Sequence, residues 1–262
     1  MQNLRFHGHA PYRVAVVHGG PGAPGSMAPV ARELAAHRGV LEPLQTADSI
    51  EGQVDELRTV LQTHGTPPMA LIGWSWGAWL ALITTAQHPA LVSRLVLVGS
   101  GPFESRDAAD IMPTRLSRLD AAARAEIDAL SRRLADPARE NRDEVLARMG
   151  SLLSSADTYD PLPVANDTVT FQGNIYRRVW GEAEVLRKRG ALLALAGRVR
   201  CPVLAIHGDH DPHPARGVYE PLSSVVADFR FVLLERCGHE PWIERHARDR
   251  FYDILCRELE QI

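Results

Sequence analysis

The chemistry of this chain starts at Ser75, in the run Gly73-Trp74-Ser75-Trp76-Gly77. A serine hydroxyl is a weak nucleophile unless a base takes its proton and a third group orients the base. His239 is the candidate base, on the Gly238-His239 loop after the apolar run Arg230–Arg236. Asp211 is the candidate acid, just after the apolar run Cys201–Gly208; its neighbour Asp209 is the alternative, and composition alone does not separate the two. Attack on a carbonyl also needs two convergent N–H groups for the developing oxyanion. One is expected from Trp76, directly after the nucleophile. The other is expected from His18-Gly19-Gly20-Pro21-Gly22. Pro21 has no N–H, and Gly20, which allows close backbone approach to substrate, is chosen ahead of Gly19.

The elements that must position these groups follow from the apolar pattern. Tyr12–Gly19, Met69–Gly73, Val92–Ser100, Cys201–Gly208 and Arg230–Arg236 read as strands, and Gly39–Gln45 as a weaker one. Ser49–Gly65 reads as a helix with Ser49 as its cap and Gly65 as its stop. Gly77–Pro89 reads as a second helix, and Ile243–Leu259 as a closing amphipathic one. Apolar strands separated by helices imply an α/β fold with a mostly parallel sheet covered on both faces. Ser75 then sits where a strand turns directly into a helix. That turn strains the residue's backbone, aims its side chain clear of the sheet and demands small residues two positions away on each side; Gly73 and Gly77 meet the demand. Ser75, Asp211 and His239 all follow carboxyl ends of strands, where sites on such sheets gather.

Between Gly101 and about Leu195 the text turns rich in Ala, Arg, Asp and Glu, helical and amphipathic, with no strand pattern. The expected organisation is a first core segment over 1–101, a helical cap over 102–195 and a second core segment over 196–262.

With these motifs the chain resembles the α/β-hydrolase superfamily over Tyr12–Gly101 and about Gly197–Ile262, with a helical cap between. The order Ser…Asp…His is the one that superfamily uses. The resemblance implies an acid in Gly-x-x-Asp, here Gly208-Asp209-His210-Asp211, which selects Asp211, and a base in Gly-His, here His239. His18-Gly19-Gly20-Pro21-Gly22 together with a tryptophan after the nucleophile is similar to the proline iminopeptidase branch. That likeness implies cap carboxylates holding a substrate amine, for which Glu182 and Glu184 in Tyr176–Leu186 are the candidates. The branch usually carries a small residue where this chain has Trp74, and a longer chain.

Composition bounds the rest. With 262 residues, 45% of them hydrophobic, the chain can bury a large core without disulfide or metal staples. A formal net charge of −3 offers no basic surface for nucleic acid or an anionic membrane. Met1–Gly20 contains no signal-type apolar run, and no stretch approaches the ~20 apolar residues of a membrane span, so a soluble cytoplasmic protein is expected. Cys201, Cys237 and Cys256 form no disulfide framework. His207, His210 and His213 have metal-like spacing, but Asp211 among them already has a role and no metal is expected. Trp242 is a candidate wall of the site or an anchor for the last helix, and the Trp76 ring is a second candidate wall.

The expected activity is a cofactor-free serine hydrolase that cleaves a small carboxylic ester or amide through an acyl-enzyme, with activity falling below about pH 6.5 as His239 protonates. The alternatives are a proline iminopeptidase-like aminopeptidase, a C–C bond hydrolase, and, outside enzymes, a ligand-binding receptor with a vestigial triad. The partner is a small-molecule substrate; the oligomeric state is open.

Overall fold

The computed structural model describes residues 3–135, 141–163 and 171–260. Seven strands form one sheet: β1 (Leu4–His7), β2 (Tyr12–Val17), β3 (Gly39–Pro43), β4 (Met69–Trp74), β5 (Val92–Val98), β6 (Val203–Gly208) and β7 (Phe229–Leu234). Their spatial order is β1-β3-β2-β4-β5-β6-β7. Every pairing is parallel except β1 with β3. The β1 edge strand was not anticipated: its four residues are too short to show a period, and its partner residues on β3, from Val40 to Pro43, are remote in sequence.

Helices cover both faces. The core helices are α1 (Ala28–Leu34), α2 (Ile50–His64) and α3 (Trp76–Gln87). Between β5 and β6 come α4 (Ser105–Ala108), α5 (Ile111–Arg118), α6 (Ala121–Leu134), α7 (Arg142–Ala156), α8 (Gly173–Lys188) and α9 (Ala191–Ala196). The expected 102–195 helical stretch also includes residues outside those described. The chain closes with α10 (Arg216–Val225) and α11 (Arg248–Leu259). Side chains alternate across a strand, so β4 sends Met69 and Leu71 into a core shared with α2 and α3. Ala70 and Ile72 enter a second core with α1 and α11. The central strands β4, β5 and β6 are buried on both faces, which is why they read as near-continuous apolar runs.

Ser49 caps α2 as expected, its hydroxyl accepting the Gly52 N–H at 3.1 Å. The last helix starts later than its periodicity suggested. Pro241–Ile243 forms a 3-10 turn, and α11 begins at Arg248, because Trp242 and Glu244 are drawn inward after His239. All three cysteines are free; Cys201 precedes β6 and Cys237 follows β7, at opposite ends of two parallel strands.

Candidate active site

β4 turns into α3 through Ser75, whose φ of 54° and ψ of −116° lie where side-chain-bearing residues are rarely found. Its N–H is held by the Val98 carbonyl of β5 at 3.0 Å. A Cβ on Gly73 would overlap the Gly77 carbonyl, and a Cβ on Gly77 would overlap the carbonyl oxygens of Val17 and His18. The two glycines therefore set how closely α3 approaches β2 and β4. Trp76 is the first residue of α3, so its N–H is among those left without a partner by the helix itself. Its ring corrects an expectation. The Trp76 indole is buried and donates to Gln53 Oε1 at 3.0 Å, so it packs into the core and walls no cleft.

His239 follows β7 and Asp211 follows β6, and the two meet: Nδ1 of His239 lies 2.7 Å from Asp211 Oδ2. Asp209 is exposed and instead accepts the Cys237 N–H, so the acid beside His239 is Asp211. A second histidine shares that carboxylate. His213 places Nδ1 at 2.7 Å and its backbone N–H at 2.9 Å from Oδ1, and its ring stacks on His239 with centroids 4.5 Å apart. Burial alone would raise the Asp211 pKa, but the surrounding histidines hold it well below the usual carboxylate range. An ionised carboxylate only accepts, so both Nδ1 atoms donate, and neutral His239 carries its lone pair on Nε2. Burial pushes His213 down, towards the neutral form, against the pull of Asp211. For His239 burial also opposes the cation, but the charge and hydrogen bond of Asp211, with Asp157 behind, outweigh it and raise the pKa above 6.5.

In the glycine-rich loop Gly20 has φ of +50° and Gly22 φ of +80°. The Gly20 carbonyl accepts the Ala23 N–H at 2.9 Å, closing a tight turn. His18, fully buried, fixes the loop from behind. Its Nε2 accepts the Gln45 N–H at 3.3 Å, so Nδ1 donates to the Gly19 carbonyl at 2.8 Å. Burial lowers its pKa to about 4, which keeps it neutral. At the start of α8, Gln172 donates its N–H to the Gly22 carbonyl at 2.8 Å.

The helices between β5 and β6 also hold His239. The Asp157 carbonyl, just past α7, accepts the His239 N–H at 2.8 Å. The Asp157 side chain takes a two-pronged contact from Arg115 of α5 at 2.7 and 2.6 Å. Buried Glu244 gathers the N–H groups of Tyr159, Asp160 and Gly238. A Cβ on Gly238 would overlap the Asp157 carbonyl, so this glycine lets the segment after α7, a strap over 157–160, cross over the His239 loop. Sequence reasoning missed His213, Asp157, Arg115 and Glu244. Only His213 carried a signal, by its spacing from Asp211.

The expected substrate contacts Glu182, Glu184 and Trp242 each have partners within the protein. Glu182 is exposed on α8, where Oε2 accepts the Ile50 N–H at 2.8 Å and so caps α2, as a carboxylate at a helix N-terminus should. It lines a surface groove of about 700 Å³ with Ile50, Val54, Ile83 and Leu195, apart from Asp211 and His239. Glu184 accepts the Trp180 indole N–H. Trp242 is buried against Phe251 and the Trp74 ring, an anchor and not a wall. Asp211, His213 and His239 offer ligand atoms within 4.8 Å of one another. Their 2.7 Å contacts suit charge-assisted hydrogen bonds; ligands around one tetrahedral zinc stand roughly 3.3 Å apart.

Comparison with known proteins agrees with this architecture. A family model described as alpha/beta hydrolase fold matches residues 12–245. The chain is 28% identical over 214 residues to a pimeloyl-[acyl-carrier protein] methyl ester esterase of Chromobacterium violaceum, covering 79% of this chain and 76% of that protein. Among solved structures it is similar in fold to VinJ, with a TM-score of 0.71 and 18% identity, covering 98% of this chain and 94% of that one. A proline iminopeptidase of Mycobacterium smegmatis gives a TM-score of 0.65 and 18% identity, with the same coverage of 98% and 94%. No helix among the described residues is long and apolar enough to cross a membrane.

Proposed function

Because the chain belongs to the α/β-hydrolase family, we propose that it is a serine hydrolase cleaving a small carboxylic ester, in which Ser75, His239 and Asp211 form the catalytic triad. One observation carries this reading: Ser75 stands on a left-handed turn between β4 and α3, at the same sheet edge as the 2.7 Å pair of His239 and Asp211. Ser75 Oγ attacks the carbonyl carbon while His239 Nε2 takes its proton. The N–H groups of Gly20 and Trp76 receive the oxyanion. The alcohol leaves with the proton from His239. Water, deprotonated by the same nitrogen, then attacks the acyl-enzyme and releases the acid and free Ser75. Asp211 keeps Nδ1 protonated and stabilises the imidazolium. No cofactor or metal enters these steps.

The relative from Chromobacterium violaceum is named for a methyl ester, which favours ester over amide cleavage. The aminopeptidase reading needs a carboxylate for the substrate amine, and Glu182, occupied as the cap of α2, gives it no support. Ser75→Ala is expected to abolish turnover of small p-nitrophenyl esters and labelling by a fluorophosphonate, with the fold intact. Retained turnover removes Ser75 from the mechanism. Proline p-nitroanilide hydrolysed faster than an acyl ester would favour the aminopeptidase. Wild-type protein that stays unlabelled and inactive would point to the receptor reading. Substrate enters between the α4–α9 helices and the sheet edge, and the protein works in the cytoplasm on a small molecule.

A further inference from the structure

Trp74 is the residue of Gly73-Trp74-Ser75-Trp76-Gly77 that the proposed chemistry leaves without a task. It is half-buried beside Ser75, and it makes three specific contacts. Its indole Nε1–H donates to the His239 carbonyl at 2.9 Å. Its ring lies against the His239 imidazole, centroids 5.2 Å apart and tilted by 48°. Its six-membered ring fills the space where a Cβ on Gly19 would stand. Behind it, Trp242 packs edge-on at 5.1 Å and is itself buried against Phe251 of α11, so the indole is held from the rear.

We propose that Trp74 is a positioning residue that locks the base loop and the oxyanion loop to the nucleophile turn. A side chain adjacent in sequence to Ser75 reaches the backbone of the base and the first glycine of the oxyanion loop at once. These segments come from the ends of three different strands and share no local sequence constraint. A rigid two-ring side chain with a single donor suits the task. It loses little rotamer freedom, and its hydrogen bond to a backbone carbonyl fixes His239 without touching the imidazole nitrogens that move protons. The contact also explains Gly19: with Trp74 present, no side chain fits there. A small residue at position 74 would leave the His239 carbonyl without this donor and the Gly19 side of the loop unsupported.

This inference rests on the serine-hydrolase reading, and its test separates the two. Trp74→Phe keeps a ring and removes the donor. Wild type and variant are compared by kcat and KM on a p-nitrophenyl ester across pH, normalised to the fraction of chains that fluorophosphonate labels. The expected result is a kcat about tenfold lower with KM within about twofold, the effect of losing one hydrogen bond that orients a reacting group. The acid limb of the profile should also move to lower pH, because a loosened His239 gains less from Asp211. A kcat and acid limb equal to wild type overturn the role; so does a loss of folded, labelled protein whose remaining fraction turns over normally. Gly19→Ala gives a second reading: it should impair turnover in the wild type and much less in Trp74→Ala. Equal impairment in both backgrounds also overturns the inference. Wild-type protein that is never labelled instead refutes the triad reading itself.

Discussion

At the scale of single residues, neighbours decide which protonation states the site uses. His239 is buried yet held above its ordinary pKa by Asp211. As the proposed base His239 acts when neutral, so the acid limb of kcat/KM should lie above pH 6.5, higher than a free imidazole would give; a limb at or below 6.5 would deny the coupling. Asp211→Asn, which leaves His239 in the wrong tautomer, should cut kcat by about 10³–10⁴-fold. His18 works in the opposite sense. Its folded-state pKa is about 4 against an ordinary 6.5, so the unfolded chain binds a proton first as pH falls. The stability that neutral His18 contributes is complete above pH 6.5 and is lost between 6.5 and about 4, roughly 3 kcal/mol in all. Urea unfolding at pH 7 and pH 4.5 should therefore show a smaller acid loss for His18→Asn than for wild type.

At the scale of elements, the strand–turn–helix unit was legible because its demands are local. Gly73 and Gly77 flank Ser75 in sequence, and the backbone clash that each avoids lies within one turn of chain or on the adjacent strand. The strain at Ser75, of order 1–3 kcal/mol, makes a measurable prediction: Ser75→Gly should be about 1 kcal/mol more stable than Ser75→Ala, since glycine accepts a φ of 54° freely. Gly77→Ala should cost about 3 kcal/mol, because the carbonyls of Val17 and His18 belong to the packed sheet and cannot retreat. Helix ends were less legible. Ile243–Leu259 has helical spacing, yet Pro241–Ile243 makes a separate turn, because buried Glu244 is engaged by N–H groups 84 and 85 positions away in the strap beyond α7.

At the scale of the whole molecule, the helices between β5 and β6 are fastened to the His239 loop through Asp157, whose carbonyl meets the His239 N–H and whose carboxylate meets Arg115. Both side chains are largely buried. Arg115→Met alone should destabilise the fold by about 3 kcal/mol, by leaving a buried carboxylate without its cation. The pair Arg115→Met with Asp157→Leu should recover most of that loss, and thermal unfolding of the four-member cycle measures it. Additive losses would mean that the two residues do not act as a pair.

Some of this protein was determined by its sequence alone. The apolar strands, the glycines around Ser75 and the positions of Asp211 and His239 after strands follow from period, sterics and chain order. Each is a constraint between near neighbours or a repeat along one element. Tertiary structure decided the rest. It set Asp211 against His239, gave Asp211 a second histidine, turned the Trp76 ring into the core and placed Glu182 at the end of α2. It also brought the Trp74 indole to the backbone of His239, 165 positions away. These outcomes depend on which loops the sheet order places side by side, and no local pattern in a chain encodes a partner at that distance.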